Sequence, residues 1–457
     1  MKMQLFGSFT LAIMMLGLTR ETPAQAQEFS VLYNFGNKSG DPQEPDSPGI
    51  ISQGRDGNLY STTYSGGSAR AGTVFRITPT GNLTVLYNFD DTQGADPSSG
   101  LTLATNGKLY GTASLGGTSS FGTLFKTTPG GTLTTVYNFS GGNDGGFPGG
   151  PPIQGTDGNL YGTLGAWGKF DCGTVYKVTH AEKVITLHQF DGKHGCSPAS
   201  PLILGTDGNF YGITRTGGNA NYGVIFKVTP TGRITVIYYL GHRTGPAYAL
   251  ILASDGNFYG ATTGGGDLGY GTIFKVTPAG KLAILHNFTE TEGYGPPTGL
   301  FEATDGNFYG TRGGGAGNYG TIYRITPQGH FTVLYYFDDT TGAFPLGNFI
   351  QHTNGIFYGE TNLGGTAGYG VFYKLDIGLK PFVSFVSAAG NVGETIEILG
   401  QGFKGTNAVS FNRIAATFTV ISDTYLTAIV PKGATTGFMT VTTPKGKLTS
   451  NKKFRVN

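Results

Sequence analysis

Apolar and polar residues alternate in short runs along most of the chain, and the runs come in groups of four. One such group, within residues 200–240, reads "SPLILG", "NFYGITR", "GVIFKVT" and "RITVIYYL". Alternation with a period of two over roughly four to eight residues is typical of β-strands. The pattern therefore predicts four strands in each group, which we call a, b, c and d.

Two kinds of tight turn join these strands. A "DG" or "NG" pair links a to b and favours a two-residue hairpin, because these residues accept positive φ. A Pro-x-Gly segment such as "TPTGR" (229–233) links c to d, where proline fixes φ and glycine takes a left-handed conformation. Antiparallel pairing places both turns at one end, the short-turn face. The b–c and d–a loops, such as 141–152 and 289–299, form the opposite end, the long-loop face, where binding residues are expected.

This group of four strands recurs seven times. The a–b turn glycines are 48 to 51 residues apart and occupy Gly57, Gly107, Gly158, Gly208, Gly256, Gly306 and Gly355. Four strands in about 50 residues are typical of a β-propeller blade. A d-strand motif also occurs at residues 31–35, before the first a strand, whereas none follows the seventh c strand. We therefore expect residues 27–378 to form a seven-bladed β-propeller whose N-terminal strand completes the last blade.

The pattern changes after residue 380. Runs such as "TIEILG", "LTAIVP" and "FMTVTT" follow at intervals of about ten residues, as in a small β-sandwich. The segments "VGETIEILGQGF" (392–403), "AVSFN" (408–412) and "ATTGFMTV" (434–441) resemble the IPT/TIG family of immunoglobulin-like domains. The resemblance covers residues 381–457. It implies an immunoglobulin-like β-sandwich that acts as a spacer or binding module and carries no catalytic residues.

The repeats themselves resemble the GloVer tandem repeats of exported bacterial proteins. The resemblance rests on "DGNLYGT" (157–163), "GTVFRITPTG" (72–81) and "LTVLYNF" (83–89), and it spans all seven copies. It implies a secreted or surface protein without an established biochemical role, often with a C-terminal anchoring signal. This chain carries the sandwich there, with no recognisable anchor. A more distant similarity to streptogramin lyase propellers rests on their "DGxxW"-like turn, in which this chain has tyrosine.

The N-terminus has the pattern of a secretory signal peptide over residues 1–26. Lys2 precedes the apolar run 5–18, and the small residues "AQA" (24–26) suit cleavage before Gln27. That run is too short and interrupted to predict a membrane span. We therefore expect an exported monomer that is extracellular, associated with the cell surface, or periplasmic.

Composition and charge narrow the possible partners. The 79 glycines agree with frequent turns, and the low share of charged residues, 13%, argues against disorder. The net charge is +2 and no lysine-rich run occurs, so neither nucleic acid nor an anionic membrane is an expected partner. We also expect no cofactor.

The two cysteines predict a disulfide. Cys172 ends the b–c loop of the third copy, and Cys196 lies in the d–a loop that leaves it. Both loops belong to the long-loop face, so the thiols are able to meet in an oxidising compartment. The bond would close a loop of about 25 residues.

Aromatic residues of the b–c loops are the candidate ligand-binding residues. In five copies an aromatic precedes the glycine that opens strand c, and the third copy adds two aromatics of its own. The candidates are Phe121, Trp167, Phe170, Tyr222, Tyr270, Tyr319 and Tyr369. Sugar rings stack on such side chains, which would suit a glycan. Packing of each aromatic between neighbouring blades is the alternative that we favour.

Other side chains give weaker signals. A basic residue recurs in strand c of every copy, and we expect it to pair with the aspartate of the a–b turn rather than to bind an anion. Acidic d–a loops lack the alternating ligand pattern of a calcium site, so we expect no metal. The seven histidines are dispersed, and the sequence contains no motif of a hydrolase nucleophile, a zinc site or a phosphate loop.

These observations favour a non-enzymatic recognition or adhesion protein that binds a polysaccharide or a surface protein through its long-loop face. The alternatives are an extracellular propeller enzyme, a lyase or hydrolase acting on a glycan or lactone-like substrate, and a purely structural matrix protein. The sequence names no catalytic residue for the enzyme.

Overall fold

The computed structural model describes residues 27–45, 50–97, 99–198, 200–245, 247–294, 299–347 and 349–457. The predicted signal peptide, residues 1–26, lies outside them. Within these ranges the fold is all-β, with one short 3-10 helix at Glu290–Glu292 and no α-helix. No helix in the described ranges is long and apolar enough to cross a membrane.

Seven consecutive sheets occupy the described part of residues 28–376, each with its strands paired in the order a, b, c, d. The inner a strands are Ser52–Gln53, Leu101–Leu103, Ile153–Gln154, Ile203–Leu204, Ala247–Leu252, Phe301–Glu302 and Ile350–Gln351. The b strands are Leu59–Thr63, Leu109–Ala113, Leu160–Ala166, Phe210–Ile213, Phe258–Thr262, Phe308–Arg312 and Phe357–Glu360. We number the sheets 1 to 7 in this order.

The outer half of each sheet follows the same order along the chain. The c strands are Thr73–Ile77, Thr123–Thr127, Thr174–Val178, Val224–Val228, Thr272–Val276, Thr321–Ile325 and Val371–Asp376. The d strands of sheets 1 to 6 are Leu83–Asn88, Leu133–Asn138, Val184–Gln189, Ile234–Tyr239, Leu282–Asn287 and Phe331–Tyr336. Two further pairings lie in loops: Pro42–Gln43 pairs with Ser65–Gly66, and Gly146–Pro148 pairs with strand b of sheet 3.

The d strand of sheet 7 comes from the N-terminus. Residues Glu28–Asn34 pair antiparallel with Val371–Asp376, and Glu28 lies opposite Asp376. The pairing covers the outer edge of the last sheet with the first described strand. Because the two strands are far apart in the sequence, their hydrogen bonds join the beginning of the repeat region to its end.

Apolar side chains fill the space between neighbouring sheets. The b strands are buried on both faces, so successive residues contact different neighbours. In sheet 1, Leu59 packs in the cluster shared with sheet 7, whereas Tyr60 packs in the cluster shared with sheet 2. Comparable clusters join sheets 2 and 3, 3 and 4, 4 and 5, 5 and 6, and 6 and 7. The apolar core therefore forms a closed series of interfaces, including one between sheet 7 and sheet 1.

Residues 384–456 form two further sheets around a separate core. One contains Ser384–Phe385, Thr395–Leu399, Tyr425–Ile429 and Phe418–Val420 in paired order. The other contains Ala389–Gly390, Gly446–Val456, Gly437–Thr443, Ala408–Phe411 and Ile414–Ala415. Buried residues of both sheets meet in a single cluster that includes Ile398, Phe411 and Phe454.

This C-terminal domain lies against the short-turn face. Arg55, in the a–b turn of sheet 1, forms an ion pair with Glu397, and its backbone carbonyl accepts a hydrogen bond from Thr424 at 2.8 Å. Gln401 donates to Thr353 of sheet 7, and Arg455 donates to the carbonyl of Thr206 in sheet 4. The C-terminal domain thus contacts turns of at least three sheets and covers part of this face.

Candidate functional site

The long-loop face concentrates exposed apolar side chains. Among the described residues up to 378, ten large apolar side chains are exposed, and only Ile185 and Tyr336 lie in outer d strands. The other eight belong to b–c or d–a loops: Tyr64, Leu115, Phe170, Leu268, Tyr294, Phe344, Leu363 and Tyr369. Exposed apolar groups gathered on one face of a protein are typical of a binding surface.

Four of the five aromatics that precede strand c lie at interfaces between consecutive sheets. Those partly buried between consecutive sheets are Phe121 (sheets 2 and 3), Tyr222 (4 and 5), Tyr270 (5 and 6) and Tyr319 (6 and 7). Tyr369 is 38% exposed. Its ring lies so close to Gly36 that a Cβ atom placed on this glycine would be only 2.4 Å from the ring. The structure does not gather these aromatics into one pocket. Their positions agree with the packing alternative, and a role in ligand binding stays a prediction.

The third copy places its additional aromatics differently. Trp167 is half-buried, with its ring centroid 5.4 Å from that of Phe121 and 4.9 Å from that of Phe147, so it packs between the loops of sheets 2 and 3. Phe170 is 49% exposed, and the ammonium of Lys169 lies 5.2 Å from its ring centroid. Of the two, Phe170 presents its ring to solvent.

The predicted disulfide is confirmed. Cys172 and Cys196 are bonded, with their Cα atoms 4.4 Å apart and 24 positions apart in the sequence. The bond ties the b–c loop of sheet 3 to the d–a loop that leads into sheet 4. Cys172 also takes the interface position of the aromatics, in the cluster between sheets 3 and 4.

The d–a loops repeat a strained residue before proline. Its φ lies between 51° and 56°, and it occurs at Glu44, Asp96, Phe147, Ser197 and Phe344. Residues other than glycine rarely adopt this region, and a following proline disfavours it further. The N–H of Phe344 donates to the carbonyl of Tyr319 in the preceding b–c loop, and its carbonyl accepts from Asn362. Contacts on both sides therefore hold the loop in one conformation.

The last residue of strand d fixes the b–c loop of the same sheet. The side-chain carbonyl of Asn88 accepts a hydrogen bond from the backbone N–H of Ser68. Equivalent bonds are made by Asn34, Asn138, Gln189 and Asn287. Sequence analysis missed this role, although the recurring "YNF" is its signal. A rigid long-loop face loses little conformational entropy when it binds a ligand.

The short-turn face carries a repeated polar network. In sheet 5, Asp255 accepts hydrogen bonds from Asn257 and from the hydroxyl of Tyr259, and Lys275 pairs with it at 2.8 Å. Burial alone would raise the pKa of Asp255, but the hydrogen bonds from Lys275 and Asn257 lower it to about 2. The expected Lys–Asp pair also forms at Lys177–Asp157 and Lys227–Asp207, whereas Lys126 pairs with Glu182 and Lys374 with Glu28.

A second network joins each of four sheets to the preceding one. The last residue of strand a is Gln or Glu in these sheets, and its side chain binds the a–b turn of the sheet before it. Gln351 accepts from the N–H of Thr304 and donates to its hydroxyl, and Gln53 does the same at Thr353. Gln154 and Glu302 act alike, toward Thr105 and Ser254. Sequence analysis did not identify these inter-sheet bonds.

Two buried charged residues break the regularity of the b strands. Arg312 is completely buried, donates to the carbonyls of Thr262 and Tyr270, and lies 3.9 Å from the ring centroid of Phe288. Glu360 is 1% exposed, and neither carboxylate oxygen has a hydrogen-bond partner among the described residues. Burial raises the pKa of Glu360 to about 8, although the hydroxyl of Ser61 in sheet 1 lowers it slightly. The guanidinium of Arg312 thus donates to two backbone carbonyls, whereas the carboxyl group of Glu360 accepts no hydrogen bond from a described residue.

The described residues offer no metal centre. No group of three or more His, Cys, Asp or Glu side chains in these ranges has the arrangement of a metal site. A small cavity of about 110 Å³ lies between sheets 2 and 3, lined in part by Tyr110, His180 and Glu182. It lies near the c–d turn of sheet 3, at the end of the sheets opposite the long loops, and contains no arrangement that predicts catalysis.

Comparison with protein families identifies both parts of the chain. The model of the Gloeobacter/Verrucomicrobia repeat matches residues 17–150, 103–252 and 240–408, and the IPT/TIG domain model matches residues 381–456. The chain therefore belongs to the Gloeobacter/Verrucomicrobia repeat family and carries a C-terminal IPT/TIG domain, as the resemblances predicted.

Solved structures show only distant similarity. The PQQ-bound aldose sugar dehydrogenase of Streptomyces coelicolor is 14% identical over 78% of this chain and 99% of its own, with a TM-score of 0.43. Gluconolactonase XC5397 of Xanthomonas campestris is 13% identical over 74% of this chain and 98% of its own, with a TM-score of 0.41. Similarities this low carry no argument about substrate or activity. No curated protein matches the chain.

Proposed function

We propose that this protein is an exported recognition protein whose long-loop face binds an extracellular polysaccharide. The observation that carries the proposal is the distribution of exposed apolar side chains: eight lie on the long-loop face, and the C-terminal domain contacts the opposite one. Aromatic rings that are partly exposed on rigid loops provide stacking platforms for sugar rings. A surface protein as the ligand is the other outcome of the test below.

The proposed architecture is a closed seven-bladed β-propeller followed by an immunoglobulin-like sandwich. Seven four-stranded sheets, the pairing of Glu28–Asn34 with sheet 7, and the apolar cluster between sheets 7 and 1 support closure. Two sheets around one core support the sandwich. Each sheet is then a blade, and the sandwich serves as a spacer or second contact on the short-turn side.

Export is part of the proposal. The sequence pattern of residues 1–26 predicts a signal peptide, and the Cys172–Cys196 disulfide suits an oxidising compartment outside the cytosol. N-terminal sequencing of the protein recovered from outside the cytoplasm should begin at Gln27. A mature N-terminus at Met1 in the cytoplasm would contradict export.

A glycan array on the mature protein tests the function. We expect specific binding that is weakened at least about tenfold, about 1.4 kcal/mol, by Phe170→Ala combined with Tyr369→Ala, since both rings are exposed on the long-loop face. The matched control is Ile185→Ala, which removes a similarly exposed apolar side chain from an outer d strand. Equal weakening by the control, or binding only to surface proteins, would contradict polysaccharide recognition by this face.

An extracellular enzyme acting on a glycan or lactone-like substrate is the second candidate. Its supporting observation is Glu360, because a carboxyl group with a raised pKa is typical of catalytic sites. The side chain is buried between sheets 7 and 1, so a substrate would reach it only if this interface opened. Turnover of a bound glycan by the wild type but not by Glu360→Gln would favour the enzyme. A matrix protein would bind no glycan specifically.

A further inference from the structure

Charge is distributed unevenly over the long-loop face. The b–c loops of sheets 3 and 4 and the d–a loops that follow these sheets span residues 165–173, 191–200, 215–223 and 241–247. They contain four Lys or Arg against two Asp, together with His194 and His242. The corresponding loops of the other five sheets contain twelve Asp or Glu against two Lys or Arg. We call the four loops the basic sector.

The basic sector is one continuous surface. The disulfide joins its first loop to its second, and Cys196 and Thr216 form a β-bridge between the second and the third. The ring of Tyr222 in the third loop stacks on that of His242 in the fourth, with the centroids 6.1 Å apart. Each loop is therefore held against the next.

Each loop of the basic sector supplies one cation: Lys169, Lys193, Arg215 and Arg243. The side chains of Lys169, Lys193 and Arg243 are exposed and form no ion pair with a described residue. Asp191 is instead paired with His194 at 2.8 Å. The four cations thus belong to four loops that contact one another in succession, one cation to each loop.

We propose that the basic sector binds an acidic polysaccharide, with one carboxylate or sulfate of the polymer near each loop. This inference rests on the proposed function and names its ligand class. A polymer with regularly repeated negative charges matches cations that are distributed one to a loop, and the exposed ring of Phe170 beside Lys169 suits a sugar ring. The acidic loops of the other sheets repel a polyanion and confine it to this sector.

Three soluble probes test the proposal on the full mature protein: polygalacturonate (acidic polysaccharide), dextran (neutral polysaccharide) and polyglutamate (acidic polypeptide). We expect polygalacturonate to bind, with an affinity that falls as sodium chloride is added. The variant K169E/K193E/R243E should lower that affinity at least about tenfold. The matched control, K183E/R233E/K281E, makes the same charge change in exposed c–d turns of sheets 3, 4 and 5 and should bind like the wild type.

Each other outcome overturns a defined part of the proposal. Equal binding of dextran excludes the acidic ligand class but leaves polysaccharide recognition through the aromatics intact. Full binding by K169E/K193E/R243E excludes the basic sector as the binding site. Binding of polyglutamate as tight as that of polygalacturonate makes an acidic polypeptide the ligand. If no probe binds while the glycan array identifies a neutral sugar, the inference fails and the proposed function stands.

Discussion

At the scale of single residues, Glu360 is the clearest departure from the repeat. Four other copies have threonine at this strand-b position, namely Thr62, Thr112, Thr163 and Thr311. Thr112 and Thr163 donate there to a backbone carbonyl of the next sheet. The carboxyl group of Glu360 occupies the same kind of position between sheets 7 and 1, where no described residue hydrogen-bonds to it. A buried carboxyl group that keeps its proton costs less than a buried carboxylate, so the pKa rises.

The raised pKa predicts that the protein loses stability with increasing pH. Below about pH 4.5, the ordinary pKa of glutamate, the folded and unfolded states both hold the proton. Between there and about pH 8 only the folded state holds it, so the free energy of unfolding falls by up to about 5 kcal/mol. We expect Glu360→Gln to remove this loss, as thermal melts from pH 5 to 8.5 would show.

The comparison must be made with the wild type at each pH. Burial lowers the pKa of His352 near the same interface, so its effect on stability has the opposite sign and is common to both proteins. Parallel pH profiles for the wild type and Glu360→Gln would refute the assignment.

The disulfide gives a second prediction for single side chains. Replacing Cys172 and Cys196 together by serine should lower the free energy of unfolding by about 3 kcal/mol, since the cross-link no longer restricts a loop of this length in the unfolded chain. Urea denaturation without reductant measures the change. The wild type in reductant should match the double variant, and an unchanged midpoint in both would contradict the stabilising role.

The cysteine pairing could be predicted, whereas the protonation of Glu360 could not. The tight turns of the repeat place both cysteine loops on one face, so the pairing followed from the topology. The environment of Glu360 depends on Ser61, which is remote in sequence and approaches only when sheets 7 and 1 meet. The sequence alone shows that a glutamate replaces the usual threonine at this position. It does not show which side chains of sheet 1 surround the carboxyl group.

At the scale of elements, the hydrogen bonds between sheets explain a difference among the copies in the last residue of strand a. Sheets 2, 4 and 5 have Leu103, Leu204 and Leu252 where other sheets have Gln or Glu. Leucine is therefore compatible with strand a. Its side chain cannot form the hydrogen bonds that Gln or Glu forms with the a–b turn of the preceding sheet. The alternation of apolar residues predicted the strands. A pattern within one repeat does not show which residues of the neighbouring sheet a side chain will contact.

These bonds predict unequal effects of the same substitution. Gln53→Leu should cost about 2 kcal/mol, because it removes two hydrogen bonds at the buried Thr353 and leaves that backbone N–H unsatisfied. Gln351→Leu should cost about 1 kcal/mol or less, since its bonds to Thr304 are exposed to solvent. Denaturation by guanidinium chloride compares the two. A larger loss for Gln351→Leu would contradict this account.

At the scale of the whole molecule, the C-terminal domain contacts the interface at which the ring of sheets closes. Thr353 of sheet 7 accepts hydrogen bonds from Gln53 of sheet 1 and from Gln401 of the C-terminal domain. Arg55 of sheet 1 binds Glu397 and Thr424 of the same domain. The domain therefore bridges sheets 7 and 1. The N-terminal strand and the C-terminal domain together hold this closure.

The contact predicts how separation of the domains would affect stability and binding. Glu397→Arg places a second cation beside Arg55, so we expect the domains to separate and limited proteolysis to cut near residues 377–381 sooner than in the wild type. Lys447→Glu, an exposed charge reversal on the same domain, should leave the cleavage rate unchanged. Because the long-loop face is at the opposite end of the sheets, binding of polygalacturonate should persist in both variants. Unchanged cleavage of Glu397→Arg would contradict the role of the Arg55–Glu397 ion pair in holding the domains together. Loss of binding with the sheets intact would show that the two faces do not act separately.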